Sequence, residues 1–513
     1  MKRTFFHKLL LLPALAAFAV ACDNDPQEET LPVAISIEPE GTDEIIVPAE
    51  GATITSISVV SNAPWTLAEA PEFCTVDPES GEAGTSELTI TVFPNDESPR
   101  SQTLSFIAEG RQHTLDGRLL EGRAVATLTI TQEIAGIRDL AANGQANCYI
   151  VTSPGTYTFH ADNQFNLADG LPVPPAISPA SAGLVWQTVK GAVSKVGFSA
   201  ETRMVEFEVA QAKGNAVIAV YDADGTVAWS WHIWMPQEEI ASVKASSGYD
   251  VMNMNLGAMN NTPGDAASYG TLYQWGRKDP FPASETLTGT TATVSAPMYD
   301  IAGNSVSISN SSWYSIADNT IEYSISHPTV CLSCMAQYDT THDWLAAGSG
   351  NDSLWGNPKG HERDSDTNTY PNKGAKTCYD PCPAGWRVPP TDAFRHFTSG
   401  GGYVWTFDGL NVDDINRDGV IDANDWTYGW HFMINDDTPM YFPAAARFDG
   451  QYAMLMGSMA GIWGNYWGNA PYEGGTFSGA GFCVLNFSGS DYTASATAGG
   501  SRADAYSVRC VRE

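Results

Sequence analysis

The sharpest chemical pattern in the sequence is Asp414-Ile415-Asn416-Arg417-Asp418-Gly419-Val420-Ile421-Asp422-Ala423-Asn424-Asp425. Oxygen side chains stand at loop positions 1, 3, 5, 9 and 12, which are Asp414, Asn416, Asp418, Asp422 and Asp425. Gly419 holds position 6, where a calcium loop turns sharply. Val420 at position 7 offers a backbone carbonyl, and Ile421 at position 8 plugs the loop inward. Four carboxylates packed this closely repel one another, and a hard dication wanting six to eight oxygens removes that cost. The expectation is a structural Ca2+ that pins a loop. A switch is disfavoured, because no flanking helices are visible in the sequence. The plain alternative is an acidic surface turn.

Other chemistry-bearing residues are less specific. Cys331-Leu332-Ser333-Cys334 lacks the second ligand pair that zinc needs and the βαβ context of a thioredoxin-like site, so a local or inter-loop disulfide is expected. His342-Asp343 and His361-Glu362 are isolated and read as solvated surface pairs. No His-Glu-x-x-His zinc motif, Gly-x-Ser-x-Gly elbow or phosphate-binding glycine loop occurs. A glycosidase needs only two carboxylates from distant segments, and nothing singles out a pair among the 59 acidic residues. The reading is therefore of a protein that is not an enzyme. The formal charge of −33 repels phosphate backbones, which disfavours nucleic acid as a partner.

These residues need elements to position them, and 513 residues are too many for one ordinary core. At the N-terminus, Lys2, Arg3 and Lys8 precede an apolar run, Leu9 to Val20, that is too short to span a bilayer. Ala19-Val20-Ala21-Cys22 follows and resembles a lipobox, the acylation and cleavage site of bacterial lipoproteins. That resemblance implies a signal peptide over 1–21, a lipid on Cys22 and an outer-membrane anchor. The acidic tether 22–33 resembles the export signal that places some lipoproteins on the cell surface. After Cys22, eight cysteines remain, an even number that suits disulfides in an oxidising compartment.

From 34 to 135, short strands alternate with turns, most cleanly in Leu88-Thr89-Ile90-Thr91-Val92 and Thr127-Leu128-Thr129-Ile130-Thr131. Ser61-Asn62-Ala63-Pro64-Trp65, Ser80-Gly81, Asn95 to Arg100 and Thr129-Ile130-Thr131-Gln132-Glu133 resemble a BACON domain, an immunoglobulin-like β-sandwich. Trp65 reads as a core plug, and Gly110 to Arg123 as an inserted loop. Residues 136–238 form a second β-sandwich. There Val205-Glu206-Phe207-Glu208-Val209 alternates, and Asn215 to Tyr221 leads through the Asp222-Ala223-Asp224-Gly225 turn to Trp229-Ser230-Trp231-His232-Ile233-Trp234. The alternating aromatics of that last strand read as a core seam against the next domain, with a sugar-stacking face as the alternative.

Residues 240–513 hold ten of the 15 tryptophans and few periodic segments, a loop-rich α+β pattern with helix hinted only at Thr391–Phe397 and Ala336–Ala346. Five segments resemble the FISUMP, or major paralogous, domain of bacterial surface lipoproteins. They are 251–258, Tyr269 to Arg277, Lys376 to Pro389, Gly464-Asn465-Tyr466-Trp467 and Tyr506 to Val511. The family usually has Trp-Ser-Ser where this chain has Trp467-Gly468-Asn469. The resemblance implies a C-type-lectin-like fold and a Cys382–Cys510 disulfide. The Asp414–Asp425 loop is itself similar to an EF-hand-type loop of the dockerin variety, in which aspartate is permitted at position 12. The tripeptides by which calcium lectins hold sugar are absent, so the fold does not transfer their site. Loop aromatics remain: Trp405, Trp426, Trp430, Trp463, Tyr466 and Trp467. Of these, Trp463, Tyr466 and Trp467 are expected at the surface as ligand contacts.

The whole reads as a mostly β, multidomain surface lipoprotein that binds a glycan or protein ligand through its C-terminal domain, for adhesion or nutrient capture. A minor or tip subunit of a pilus (a fimbrillin-like structural role) is the alternative, and a polysaccharide-degrading enzyme stands behind both.

Overall fold

The structure, a computed structural model, describes residues 32–49, 51–69, 72–95, 100–113, 119–132, 137–287, 295–311, 319–334, 342–345, 351–366, 369–401, 403–452, 454–473, 478–488 and 491–513. The expected leader 1–21, Cys22 and nearly all of the expected tether 22–33 lie outside these residues. The chain divides into two compact units, Met1–Gly136 and Ile137–Glu513.

In the first unit, period-two patterning makes a β-sandwich. Its strands are β1 (Ile35–Glu38), β2 (Glu44–Val47), β3 (Ala52–Ser61), β4 (Trp65–Leu67), β5 (Cys74–Asp77), β6 (Ser80–Gly81), β7 (Gly84–Val92), β8 (Arg100–His113) and β9 (Leu119–Gln132). One sheet runs β1-β3-β7-β5 and the other β2-β9-β8-β4-β6. Leu88, Ile90 and Val92 on β7, with Leu104, Phe106, Leu128 and Ile130 on the facing sheet, point inward and are buried, while the intervening threonines stay outside. Trp65 is fully buried edge-on to Phe106, with ring centroids 5.6 Å apart, so it is the core plug its sequence context predicts. The described part of the stretch read as a loop, 110–123, is strand, and 114–118 lie outside the described residues. The β8–β9 ladder continues through it as far as His113 opposite Leu119. Backbone pairing carries the hairpin on where charged residues and glycines interrupt the apolar alternation.

The second unit begins with another sandwich. It comprises β10 (Arg138–Asp139), β11 (Cys148–Ile150), β12 (Gly155–His160), β13 (Ser181–Gln187), β14 (Val193–Ser199), β15 (Met204–Val209), β16 (Gly214–Tyr221) and β17 (Val227–Met235). The sheets run β10-β12-β15-β14 and β11-β17-β16-β13, the latter continued by Met298–Tyr299 and Ser305–Val306. Phe159 fills the space between them, 4.9 Å from both Tyr149 and Trp231. β17 does not alternate in burial, because both of its faces are covered. Trp231 packs on the facing sheet, while Ser230, His232 and Trp234 bond Asp279, Tyr273 and the Ala258 carbonyl of the following segment. Trp229, against Tyr379, and Trp234 thus lie at the expected seam with the following segment, Trp231 packs instead on the sandwich's own facing sheet, and none offers an open face to sugar.

The boundary drawn near 238–240 falls inside this unit, since one apolar core runs from Cys148 through Trp231 to Trp467 and Cys510. Beyond it, the longest sheet orders Phe281–Pro282, Thr271–Gln274, Ala505–Ser507, Trp463–Glu473, Ser478–Ser488, Asp491–Ser501 and Tyr403–Val404. A hairpin, Gly429–Asn435 with Thr438–Pro443, packs beside it. Helix is scarce: α1 (Ile321–Ser326) is the one α-helix among the described residues. Thr391–Phe397 supplies only a 3-10 turn, Arg395–Phe397, and 335–341 lie outside the described residues. Among the described residues, no helix is long and apolar enough to cross a membrane.

Candidate functional site

The acidic loop is held at both ends. Before it, the Asp413 amide donates to the His431 carbonyl at 2.8 Å. After it, Asp422 caps a 3-10 turn, Ala423–Asp425, in a reciprocal box: its carboxylate accepts the Asn424 amide, and the Asp425 carboxylate accepts the Asp422 amide. Inside the loop, Asp414 accepts the Gly419 amide at 2.7 Å, Asn416 the Asp418 amide at 2.8 Å and Asp418 the Val420 amide at 2.9 Å. Gly419 takes φ +86°, a conformation that favours glycine. Asp425 is fully buried, and its second oxygen accepts the Ile415 amide at 2.9 Å. Ile421 packs inward on the apolar core, whereas Val420 is exposed.

The donor set is entirely oxygen, with one member buried at the position that closes a calcium loop, so its chemistry fits a hard cation. The side chains are spread around the loop, and among the described residues no three His, Cys, Asp or Glu side chains converge on a common point.

Aromatic rings flank the loop. Trp426 follows Asp425 directly, donates its indole N–H to the Gly461 carbonyl at 3.1 Å and meets Trp430 edge-on at 5.0 Å. Trp430 in turn meets Phe407 at 6.1 Å. Two residues before Phe407, Trp405 is 71% exposed, the most exposed of the large apolar side chains among the described residues. Burial pushes the nearby His431 imidazole below its ordinary range, with Asp413 opposing the shift.

The three aromatic residues singled out from the sequence separate. Tyr466 and Trp467 are fully buried, which corrects their assignment as surface ligand contacts. Both lie on the central strand Trp463–Glu473, where apolar rings are drawn into the core and their polar atoms find backbone partners. The Tyr466 hydroxyl donates to the Pro443 carbonyl and the Trp467 indole to the Tyr273 carbonyl, each at 2.6 Å. Trp463 is half-buried, with the Arg447 guanidinium 5.4 Å from its ring centroid. Trp405 went unselected because nothing in its spacing separates an exposed tryptophan from a core one. The glycine-rich Gly400-Gly401-Gly402 just before it was the available signal.

The segments that carried the C-terminal resemblance are architectural. Asn255 accepts from the Arg509 guanidinium at 2.9 Å and donates to the Tyr269 carbonyl and the Tyr466 hydroxyl. Trp275 donates to the Gly468 carbonyl at 2.9 Å, and Trp467 lies 4.2 Å from Tyr506. Cys382 and Cys510 are joined by a disulfide that closes 128 residues of sequence. Beside it, buried Lys376 donates to the carbonyls of Cys382, Pro383 and Trp386, and buried Asp380 accepts the amides of Cys382 and Val388. Burial raises the Asp380 pKa, and Lys376 opposes that shift.

Cys331 and Cys334 do not bridge, which corrects the disulfide expected there. Cys331 is a buried thiol among Phe281, Phe448 and Ala505, and burial pushes it up to about 12. Cys334 belongs to the other core, 3.9 Å from the Ser501 hydroxyl. The two thiols thus sit in different apolar clusters.

Compared with known proteins, residues 63–133 match the BACON family, described as "Putative binding domain, N-terminal". This stretch is therefore a BACON domain, seated in the first β-sandwich. No curated protein matches the chain. Among solved structures, a Bacteroides ovatus xyloglucanase in complex with a heptasaccharide is 17% identical over 22% of this chain and 23% of its own, with a TM-score of 0.14. Mouse cadherin-23 is 8% identical over 39% of this chain and 62% of its own, at 0.15. The zebrafish RET cadherin-like domains are 12% identical over 39% and 51%, at 0.16. This chain thus spans under a quarter of the xyloglucanase, and likenesses at these scores carry no argument about role.

Proposed function

We propose that the chain is a non-catalytic surface lipoprotein, anchored through Cys22, whose C-terminal segment captures a glycan or protein ligand. In this reading residues 240–513 are a FISUMP-type, lectin-like domain, and the β-sandwiches are a stalk that holds it away from the membrane. The buried bonds of Asn255 with Arg509, and of Trp275 and Trp467 with the Gly468 and Tyr273 carbonyls, support the domain assignment, because these are residues on which that resemblance rests.

The observation that carries the binding reading is Trp405. A tryptophan left 71% exposed, a few residues before the four carboxylates of the acidic loop, forgoes the burial that Trp430 obtains fully and Phe407 and Trp426 in part. Flat indole faces stack on sugar rings or on apolar side chains of a protein ligand. Ca2+ fits the Asp414, Asn416, Asp418, Val420, Asp422 and Asp425 donor set. Its role would be to draw the carboxylates inward and fix the loop against Trp426.

The test is a glycan and host-protein array screened with the full chain, in calcium and again in EDTA. Binding that falls about tenfold in Trp405→Ala, as loss of a stacking anchor should give, supports the reading. Silence on the array with a folded protein would move the assignment to a structural role such as a pilus subunit.

A further inference from the structure

A second cavity, far in sequence from the acidic loop, has the makings of a separate site. It is an open pocket of about 800 Å3 in the second unit, between the turn that joins β16 to β17, the loop Pro175–Ile177 and helix α1. That size lies within the range of roughly 300–1,000 Å3 usual for small-molecule sites.

Local hydrogen bonds and one ring stack shape two of its walls. Asp222 closes a tight turn, its amide donating to the Thr226 carbonyl at 2.9 Å and its carbonyl accepting from Gly225. On the opposite wall, Thr320 caps α1 through the Tyr323 amide, and the Tyr323 ring stacks on His327 at 3.8 Å with an interplanar angle of 12°. Ile177 and Ile325 anchor the loop and the helix to the core.

The lining has one sign. Asp222 and Glu322 are its charged groups, and no Lys, Arg or His lines it among the described residues. Oδ1 of Asp222 is shielded from solvent and accepts no hydrogen bond from the protein. A buried acceptor in that state gains from a ligand hydroxyl that donates to it. Hydroxyls from Thr226, Thr320 and Ser326, with Tyr323 and Ile177, complete a surface of acceptors and apolar faces. Phosphates, uronic acids and sialic acids would meet uncompensated negative charge here. A ring that carries several hydroxyls and no charge finds acceptors for its donors and an apolar wall for its C–H face.

We infer that this cavity is a second ligand site, for a short neutral oligosaccharide, with Asp222 and Glu322 accepting its hydroxyls and Tyr323 bordering its ring. It shares no residue with the surface around Trp405, so either site can fail while the other stands.

The experiment is calorimetric titration of the full chain with neutral cello-, xylo- and manno-oligosaccharides, with glucuronic acid and spermidine as charged controls. Saturable binding of a neutral sugar is expected in EDTA and in a Trp405→Ala background, where the surface around Trp405 contributes nothing, and the acidic-residue variants are made in that background. Asp222→Asn and Glu322→Gln should each weaken it about tenfold or more, the loss expected when a charged acceptor is removed. Both are near-isosteric and leave the thermal midpoint in place, so the loss reads as binding and not unfolding. No heat with any neutral sugar, binding of spermidine alone, or neutral-sugar binding indifferent to Asp222→Asn and Glu322→Gln would each overturn the inference.

Discussion

Burial, not the reach of the indole N–H, separates the tryptophans of this chain: Trp65, Trp186 and Trp231 are fully buried with no acceptor for theirs. Trp467 hands its N–H to the Tyr273 carbonyl inside the core, whereas Trp405 stays outside. Trp467→Ala should therefore cost about 3–5 kcal/mol of stability, the range for truncating a buried aromatic, and Trp405→Ala less than about 0.5, both read from denaturant midpoints. Equal losses would mean that burial does not rank these positions. His232 makes a second residue-scale case. It bonds Asn215 at 2.8 Å and Tyr273 at 3.1 Å, and burial lowers its imidazole to about 3 from an ordinary 6.5. The unfolded chain thus takes the proton first. Its contribution to stability is complete above pH 6.5 and drains away as pH falls toward 3. At about 1.4 kcal/mol per pH unit, this single group removes roughly 2–3 kcal/mol between pH 6.5 and 4.5. His232→Gln should flatten the acid limb of a stability–pH curve by about one proton's slope. An unchanged slope would remove His232 as its source.

Strands whose apolar residues alternate were legible from the sequence, because one face meets a core and the other meets water. β7 is the clearest case. The alternating aromatics of β17 marked a strand but not which face met which core, since Trp231 and His232 are both buried, one face toward the opposite sheet and one toward the following segment. The hairpin arm of β8 and β9 was hidden for a different reason: its pairing is a backbone ladder over polar residues and glycines. The Cys382–Cys510 pair was legible only through family resemblance, as spacing cannot choose among eight cysteines. On the chain-entropy account, a bridge across 128 residues stabilises by about 5 kcal/mol, so a Cys382→Ser, Cys510→Ser double variant should lose close to that, measured by denaturant titration. A loss below about 1 kcal/mol would assign the stability of this region to packing alone. The acidic loop was legible as a donor pattern, while the convergence of its side chains was not, because amides and a cation compete for the same oxygens. With calcium in large excess over its dissociation constant, the thermal midpoint should rise by a few degrees relative to EDTA, and Asp414→Ala should abolish that difference. Identical midpoints in calcium and EDTA for the parent protein would take the ion out of the proposal.

At the scale of the molecule, what matters is which cores are shared. The apolar cluster of the first unit contains only residues between Ile37 and Ile130. The cluster that holds the second sandwich runs on to Trp467, Tyr506 and Cys510, so that sandwich and the C-terminal segment rise or fall together. The one disulfide found among the described residues also lies wholly in the second unit. Calorimetry of the full chain should therefore resolve two transitions, not three, and the cysteine-to-serine variant should move only one of them. The transition it leaves alone should disappear on deletion of residues 34–135, with the other midpoint kept within about 2 °C, because each unit buries its own apolar surface. Ligand affinity should likewise survive that deletion within about twofold, as distant and independent parts of a molecule contribute additively. A tenfold loss would place part of the binding surface in the BACON-containing unit and end the description of it as a stalk. Three transitions would show that the seam along β17 does not couple the second sandwich to the C-terminal segment. The core common to Trp231 and Trp467 would then lose its claim to be one cooperative body.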